Sequence, residues 1–87
     1  PVADTVYPKD QFLINLLKSS INDLADEDGW TFLGSLGSLL LKKQPDFDPR
    51  NYGYPKLLAL IEDISDFEVE HRKTPNSRYS HVYVRVK

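Results

Sequence analysis

DFEVEHR (residues 66–72) and HVYVRVK (residues 81–87) are the two segments that decide the fold. Before Ser65 the apolar residues recur every three or four positions, whereas in these segments they alternate with polar residues. The first spacing is typical of an amphipathic helix and the second of a half-buried β-strand. The sequence therefore predicts a C-terminal β-hairpin that follows a helical region.

One register of this hairpin satisfies apolar pairing and charge pairing together. It has Arg72 opposite His81. Four further pairs follow, two apolar and two of opposite charge: Val69 with Val84, Phe67 with Val86, Glu68 with Arg85, and Asp66 with Lys87. The two ion pairs neutralise part of the positive charge near the C-terminus. This leaves Arg72, Lys73 and Arg78 as the free positive charges of the hairpin tip.

The first helix is predicted over Lys9–Leu24. Its apolar residues are spaced by three and four and form one face: Phe12, Leu13, Leu16, Leu17, Ile21 and Leu24. The cluster ADEDG (residues 25–29), which contains three acids, then ends the helix. We interpret it as a solvated turn, because Gly29 comes too early for a calcium loop and no glutamate closes the twelve-residue ligand spacing.

A short strand and two more helices fill the segment before the hairpin. Trp30–Phe32 is aromatic and β-branched, which is typical of a strand. The second helix ends near Gln44, and its Gly34 and Gly37 indicate close approach of a neighbouring element, since glycine is a poor helix former. A third helix begins at Pro55 and turns these apolar residues inward: Leu57, Leu58, Leu60, Ile61 and Ile64.

Three helices followed by a β-hairpin, with a short strand before the second helix, is the order of a winged helix-turn-helix. We predict an α+β fold in which a helical bundle carries a C-terminal β-hairpin wing. One domain covers residues 1–87, with an ordered core of about residues 9–87. The absence of an initiator Met at Pro1 suggests a piece of a longer chain. We expect a cytoplasmic protein, because we find no signal peptide, and no apolar run approaches the ~18 residues of a membrane span.

The residue inventory argues against enzymatic chemistry. Without cysteine there is no disulfide scaffold, thiolate zinc site or cysteine nucleophile. The two imidazoles, His71 and His81, lie on opposite faces of the predicted hairpin and cannot share a metal ion, and we expect His71 to be partly buried. Glu62 and Asp63 are neighbours on an exposed helix face, which usually serves solubility. We therefore expect no catalytic residues, no cofactor and no metal.

Charge is distributed unevenly along the chain. Residues 1–48 carry a net charge of −4 and residues 49–87 a net charge of +2, and residues 72–87 contain five cations and no acid. A basic segment on an acidic chain favours a local anionic partner. The alternative is a solvated hairpin whose cations pair with nearby acids.

Sequence-specific binding of duplex DNA is disfavoured by the third helix. Its outward positions are Lys56, Ala59, Glu62 and Asp63, so that two acids would face phosphates. Major-groove recognition needs Arg, Asn or Gln aimed at base edges.

Two segments combine cations with aromatic residues and are candidates for RNA binding. Residues 50–56 follow a helix cap at Asp48-Pro49 and place two tyrosines around Gly53, beside N–H groups that favour anions. Residues 72–79 form the hairpin tip. Cations interleaved with tyrosines suit unpaired or quadruplex nucleic acid better than a B-form groove. The predicted RNA-binding residues are Arg50, Tyr52, Tyr54, Lys56, Arg72, Lys73, Arg78, Tyr79, Tyr83 and Arg85.

An alternative stays open for the tyrosines of the first segment. Tyr52 and Tyr54 could cover the core, with Gly53 supplying a turn of positive φ.

Three stretches resemble the LOTUS domain, also called OST-HTH: DGWTFLGSLG (residues 28–37), PDFDPRNYGYPKL (residues 45–57) and the Phe-x-Val strand at Phe67. The resemblance covers roughly Phe12 to Lys87, and its most specific part is residues 47–57. It implies a winged helix that binds RNA, with a preference for G-rich and G-quadruplex RNA. In bacteria and plants the family often ends chains that carry a PIN-like NYN ribonuclease domain.

The chain stops on its last strand, so it is similar to the minimal subtype of that family rather than to the extended subtype, which binds a DEAD-box helicase through an added helix. The resemblance therefore implies a module that brings G-rich RNA to an attached ribonuclease, with no membrane partner. The alternative is a protein-interaction module that docks on a helicase or on its parent domain through an exposed helical surface.

Overall fold

The computed structural model describes residues 8–73, 75 and 80–87. Over this part of the chain, three α-helices and three short strands follow one another with a 3₁₀ turn between them: α1 (Gln11–Leu24), β1 (Thr31–Phe32), α2 (Leu33–Lys43), the 3₁₀ turn (Pro49–Tyr52), α3 (Leu57–Glu62), β2 (Phe67–Lys73) and β3 (Ser80–Val86). The strands form one antiparallel sheet in the order β1-β3-β2. This architecture confirms the predicted α+β fold, with β2 and β3 as the wing.

Helix α1 begins two residues later than predicted because Asp10 is its N-cap. The Asp10 carboxylate accepts a hydrogen bond from the backbone N–H of Leu13 at 3.1 Å, which satisfies one of the donors that a helix start leaves free. Lys9 therefore stays outside the helix. The other end, at Leu24, lies where the sequence places it.

Helix α3 is shorter than predicted and begins at Leu57 rather than at Pro55. Lys56 has an extended backbone, with φ −145° and ψ 158°, so the helical conformation starts only at Leu57. Leu60 and Ile61 are fully buried, while Leu57 and Leu58 are half-buried.

The core lies where the three helices meet the inner face of the sheet. Every element except the 3₁₀ turn and β1 contributes at least one apolar side chain to it: Leu13, Leu17, Ile21, Leu36, Leu40, Leu60, Ile61, Phe67 and Val84, with Ile64 beside them. Phe12 and Leu24, predicted on the apolar face of α1, are 62% and 38% exposed. They lie at the two ends of the apolar stripe, beyond the elements that cover its middle.

The register of the wing is confirmed. Arg72 lies opposite His81, and the pairs that follow are those read from the sequence: Val69 with Val84, Phe67 with Val86, and Glu68 with Arg85. The Lys87 N–H donates to the Asp66 carbonyl at 2.9 Å, which continues the ladder. One charge pair was wrong, however: the Asp66 carboxylate lies 3.0 Å from the ammonium of Lys18 on α1, a partner that a hairpin pattern alone cannot reveal.

Strand β1 joins the helices to the wing. Thr31 lies opposite Val84 and Phe32 opposite Tyr83. Thr31 is 2% exposed, and its hydroxyl donates to the Ile21 carbonyl at the end of α1, at 3.0 Å. Because successive strand residues point to opposite faces, Phe32 and Tyr83 are placed on the outer face of the sheet.

The glycines meet different constraints. Gly53 has φ 89°, as its predicted role in a positive-φ turn requires. A Cβ added at Gly34 would come within 2.7 Å of the Phe32 ring, whereas one at Gly37 would lie in ordinary contact with Leu57, at 3.7 Å. The close approach predicted for the two helix glycines is therefore confirmed at Gly34, where the neighbour is the Phe32 side chain.

Replacing Gly53 by Ala is expected to lower the free energy of unfolding by about 1–2 kcal/mol, because a side chain disfavours the left-handed region by that amount. Gly37→Ala is the matched control. It adds the same methyl group inside a helix with room for it, and it is expected to be neutral or to stabilise by up to about 1 kcal/mol. Urea unfolding of both variants checks this, and equal effects would contradict it.

Candidate nucleic-acid interface

The solvent side of the sheet carries an alternating set of cations, carboxylates and aromatic rings. We call it the outer sheet face, and it comprises Trp30, Phe32, Glu68, Glu70, Arg72, His81, Tyr83 and Arg85. Its strand residues alternate with the inward-facing Phe67, Val69 and Val84. Phe32, Glu70 and His81 are exposed and the other five residues are half-buried, so part of this face is open to solvent.

Arg72 lies between two aromatic rings. Its guanidinium carbon is 4.1 Å from the centre of the Tyr83 ring and 5.5 Å from that of Trp30. Its Nε donates to the Glu70 carboxylate. This hydrogen bond is the main reason that the pKa of Arg72 is raised above its ordinary value, and the phenol of Tyr83 and the carboxylate of Asp26 add to it. The prediction that Arg72 is a free charge was therefore wrong.

Arg85 stacks on the same tryptophan. Its guanidinium carbon is 4.7 Å from the Trp30 ring centre, and its terminal nitrogen donates to Glu68 at 2.7 Å, as the predicted register requires. The acidic turn fixes the backbone at Trp30, because the Asp26 carboxylate accepts a hydrogen bond from the backbone N–H of Trp30 at 3.1 Å. The segment predicted as a solvated turn thus also holds the residue that carries the indole.

Phe32 extends the row of rings towards the hairpin tip. Its ring centre is 5.8 Å from that of Tyr83 and 5.6 Å from that of His81, with tilted planes. Phe32 is 40% exposed. Trp30, Phe32 and His81 were not predicted as site residues. Their period-2 spacing, in Trp30-x-Phe32 and in His81-x-Tyr83-x-Arg85, nevertheless indicates that the residues of each set share one face of a strand.

Of the other residues predicted at the hairpin tip, the structure describes Lys73, which is exposed at the end of β2. Arg78 and Tyr79 lie outside the described residues. His71 was expected to be partly buried and is exposed, because β2 is buried at Phe67 and becomes exposed towards the tip.

In the second candidate segment, Arg50 is paired within its own turn. Asp48 caps the 3₁₀ turn by accepting from the Arg50 N–H at 2.9 Å, and the Arg50 guanidinium contacts the same carboxylate at 2.7 Å. The side-chain hydrogen bonds of this pair, helped by the backbone one, lower the pKa of Asp48. The side-chain hydrogen bonds and the charge of Asp48 raise the pKa of Arg50. Arg50 nevertheless stays 78% exposed, and Lys56 is exposed as the residue before α3.

The tyrosines of this segment pack against the core. Tyr52 is half-buried, with its ring centre 6.1 Å from that of Phe47. Tyr54, also half-buried, donates its hydroxyl to the carboxylate of Asp63 and accepts a hydrogen bond from the Lys9 ammonium. These contacts favour the core-covering interpretation of both residues. They also give Asp63 a defined role in place of the solubility role predicted for it.

Comparison with known protein families matches residues 5–79 to the model of the OST-HTH/LOTUS domain. The chain belongs to the LOTUS family. Domains of this family are RNA-binding or protein-interaction modules and are generally non-catalytic.

Two solved structures resemble this LOTUS domain over nearly its full length. One is a solution NMR structure of an uncharacterized protein from Nitrosomonas europaea, 38% identical, covering 100% of this chain and 84% of that one with a TM-score of 0.76. The other, a solution NMR structure from Chromobacterium violaceum spanning residues 175–257 of its protein, is 29% identical and covers 92% and 85% with a TM-score of 0.67. A comparison with curated proteins gives no match.

The described part of this LOTUS domain shows neither a metal cluster nor a membrane-spanning helix. Within residues 8–73, 75 and 80–87, no cluster of three or more histidine and carboxylate side chains is placed to hold a metal ion. None of the helices there has the length and apolar character needed to cross a membrane.

The contact among Lys9, Tyr54 and Asp63 predicts a pH dependence of stability. The pKa of Asp63 is held below its ordinary 3.8, mainly by the hydrogen bond from Tyr54 and secondly by the hydrogen bond from Lys9, whose ammonium is 2.9 Å away. Hydrogen bonds to Tyr54 and Asp63 raise the pKa of Lys9 above its ordinary 10.5. A carboxylate whose pKa is lowered by folding stabilises the fold at pH values above its unfolded pKa, and this contribution is lost as the pH falls through the folded pKa. Lys9, whose pKa is raised, stabilises the fold at pH values below 10.5, and this contribution is lost as the pH rises through its folded pKa.

Asp63→Asn should therefore be less stable than the wild type on the plateau between these two pKa values, and the two stabilities should converge in strong acid. Because both groups are exposed, the difference should shrink at high salt. Urea unfolding at several pH values measures it. Glu62→Gln, the same charge change one residue away, is the control, and an equal pH profile for the two variants would contradict the assignment.

Proposed function

We propose that this LOTUS domain binds G-rich RNA, including G-quadruplex RNA, in the cytoplasm, and brings it to an NYN-type ribonuclease domain of the same chain. The observation that carries the proposal is the outer sheet face, where two guanidiniums lie against Trp30 and one of them also against Tyr83. Nucleobases stack on aromatic rings and on guanidinium planes. A surface of this composition therefore suits exposed base faces.

The charges on the helical side of the domain favour a ligand with exposed bases, such as single-stranded or quadruplex RNA, rather than duplex DNA. In a winged helix, α3 would enter a major groove, yet its solvent side ends in the exposed carboxylates of Glu62 and Asp63. These would repel phosphates, and neither supplies the donor pattern that reads guanine.

The predicted residues contribute in different ways to this proposal. Arg72, Tyr83 and Arg85 belong to the outer sheet face and contact bases. Lys73, Arg78 and Tyr79 lie in the tip segment, where they reach the RNA backbone. Two exposed cations of the second segment, Arg50 and Lys56, add phosphate contacts, while Tyr52 and Tyr54 offer the ring edges that the core leaves accessible.

Trp30→Leu should weaken binding of G-quadruplex and single-stranded G-rich RNA by at least about fivefold, since stacking contributes about 1–3 kcal/mol per base. Phe12→Leu is the matched control, because it shortens another exposed aromatic residue on α1, and it should change affinity by less than about twofold.

Titration of quadruplex, single-stranded and duplex RNA at stated salt concentrations measures these affinities. The wild type should prefer the first two RNAs. Equal and negligible affinity for all three would reject the proposal, and equal losses in the Trp30 and Phe12 variants would reject the outer sheet face as the site.

A second candidate function, docking of a protein partner, is favoured by an apolar groove on the helical side. This groove of about 370 Å³ lies between α2 and the 3₁₀ turn and is lined by Gly34, Gly37, Ser38, Leu41, Phe47, Asp48, Pro49 and Leu57. Leu41 is 52% exposed there. A helicase, or the parent nuclease domain, would bury this side chain.

If the groove docks such a partner, Leu41→Gln should abolish capture of a purified NYN nuclease domain or DEAD-box helicase at high salt and leave the RNA titration unchanged. Leu24→Gln, at an exposed leucine of α1, is the control and should keep capture. Capture that is lost at high salt, or that persists in Leu41→Gln, would count against docking in this groove.

A further inference from the structure

Each of the two arginines on the outer sheet face donates one hydrogen bond to a neighbouring carboxylate. Arg72 donates through Nε to Glu70, two residues away on the same strand, and Arg85 donates through a terminal nitrogen to Glu68 on the neighbouring strand. All four side chains are partly exposed. Each cation of this face thus carries its own carboxylate, within reach of the same solvent that an RNA ligand would approach from.

A guanidinium offers a ligand two kinds of contact. Its edge carries N–H groups that bind phosphate or carboxylate, and its planar faces stack on π systems. In this structure a carboxylate neutralises each guanidinium, while the guanidinium carbons lie over the rings of Trp30 and Tyr83. A phosphate that approaches either arginine therefore meets the negative charge of its carboxylate, whereas an uncharged base can stack on this surface with both ion pairs intact.

We infer that Glu68 and Glu70 determine specificity, by making the outer sheet face select exposed nucleobases over the phosphate backbone of duplex RNA. This inference rests on the proposed function and deepens it. The four charged side chains sum to zero, so the face attracts phosphates little. Duplex RNA presents mainly phosphates and hides its base faces, whereas single strands and terminal quadruplex tetrads expose theirs.

The carboxylates act by weakening the binding of duplex RNA, because they add no attraction for RNA with exposed bases. Removing one carboxylate frees an N–H donor, removes a charge that repels phosphate, and leaves the rings unchanged. Duplex RNA should gain from this more than single-stranded or quadruplex RNA does. The dependence of binding on salt should become steeper at the same time, because each new phosphate contact releases a counterion.

The test compares Glu68→Gln and Glu70→Gln, which keep the side-chain shape, with Asp23→Asn as the control of equal charge change. Asp23 on α1 is paired with Lys43 of α2 at 2.8 Å, so the control also removes the carboxylate of one exposed ion pair. Each of the first two should tighten duplex RNA binding by about threefold, the scale of one exposed ion pair, and steepen the salt slope by close to one. Quadruplex and single-stranded affinities should change less, and Asp23→Asn should shift all three RNAs alike. Glu70→Asp, which keeps the charge, should retain the wild-type selectivity.

Three outcomes would overturn the inference: equal tightening for all RNAs in the Glu68 and Glu70 variants, no change in the salt slope, or weaker binding of duplex RNA. Thermal unfolding checks that each variant is folded. Glu68 and Glu70 belong to separate ion pairs, so each variant tests the inference independently of the other. If the wild type binds no RNA, the proposed function fails and the inference with it. If the wild type binds RNA but selectivity is unchanged in the variants, the inference alone fails.

Discussion

The pairing of the two-residue strand β1 with β3 is the constraint on which the rest of the structure depends. Thr31 lies inside, opposite Val84, and its hydroxyl joins the sheet to the last turn of α1. A buried hydroxyl without a partner costs about 1–3 kcal/mol, so this hydrogen bond also fixes which way β1 faces. With Thr31 inside, Phe32 must lie outside beside Tyr83. One buried threonine therefore decides that the aromatic residues of β1 and β3 share the solvent side.

Local patterns predicted the parts of the fold in which one residue constrains its near neighbours. The hairpin register follows from two patterns that agree, and Gly53 follows from the backbone that its turn requires. The contacts that were missed cross between elements far apart in the chain, such as Lys18 with Asp66 and Tyr54 with Asp63. A charged side chain on an exposed helix face gives no sign of its partner, because many acids would fit equally well.

The candidate site shows the same division. Arg72, Tyr83 and Arg85 could be singled out from the wing alone, since they combine charge and aromatic character on one hairpin. Trp30 and Phe32 could not be joined to them without the pairing of β1 with β3. That pairing turns a basic hairpin into a mixed surface, in which aromatic rings lie under the guanidiniums and carboxylates lie at their edges. A count of the cations alone overstated the free charge of the wing and left out the aromatic rings beside them.

Trp30 is the only tryptophan of the chain, and the guanidinium carbons of Arg72 and Arg85 lie 5.5 and 4.7 Å from its ring centre. The indole is therefore an intrinsic optical probe placed at the surface where a ligand would stack. All tryptophan emission from this domain originates at this position, so quenching or a spectral shift reports on the outer sheet face without an attached dye. Binding at the groove beside α2 would leave the indole uncovered, and the same measurement would separate the two surfaces.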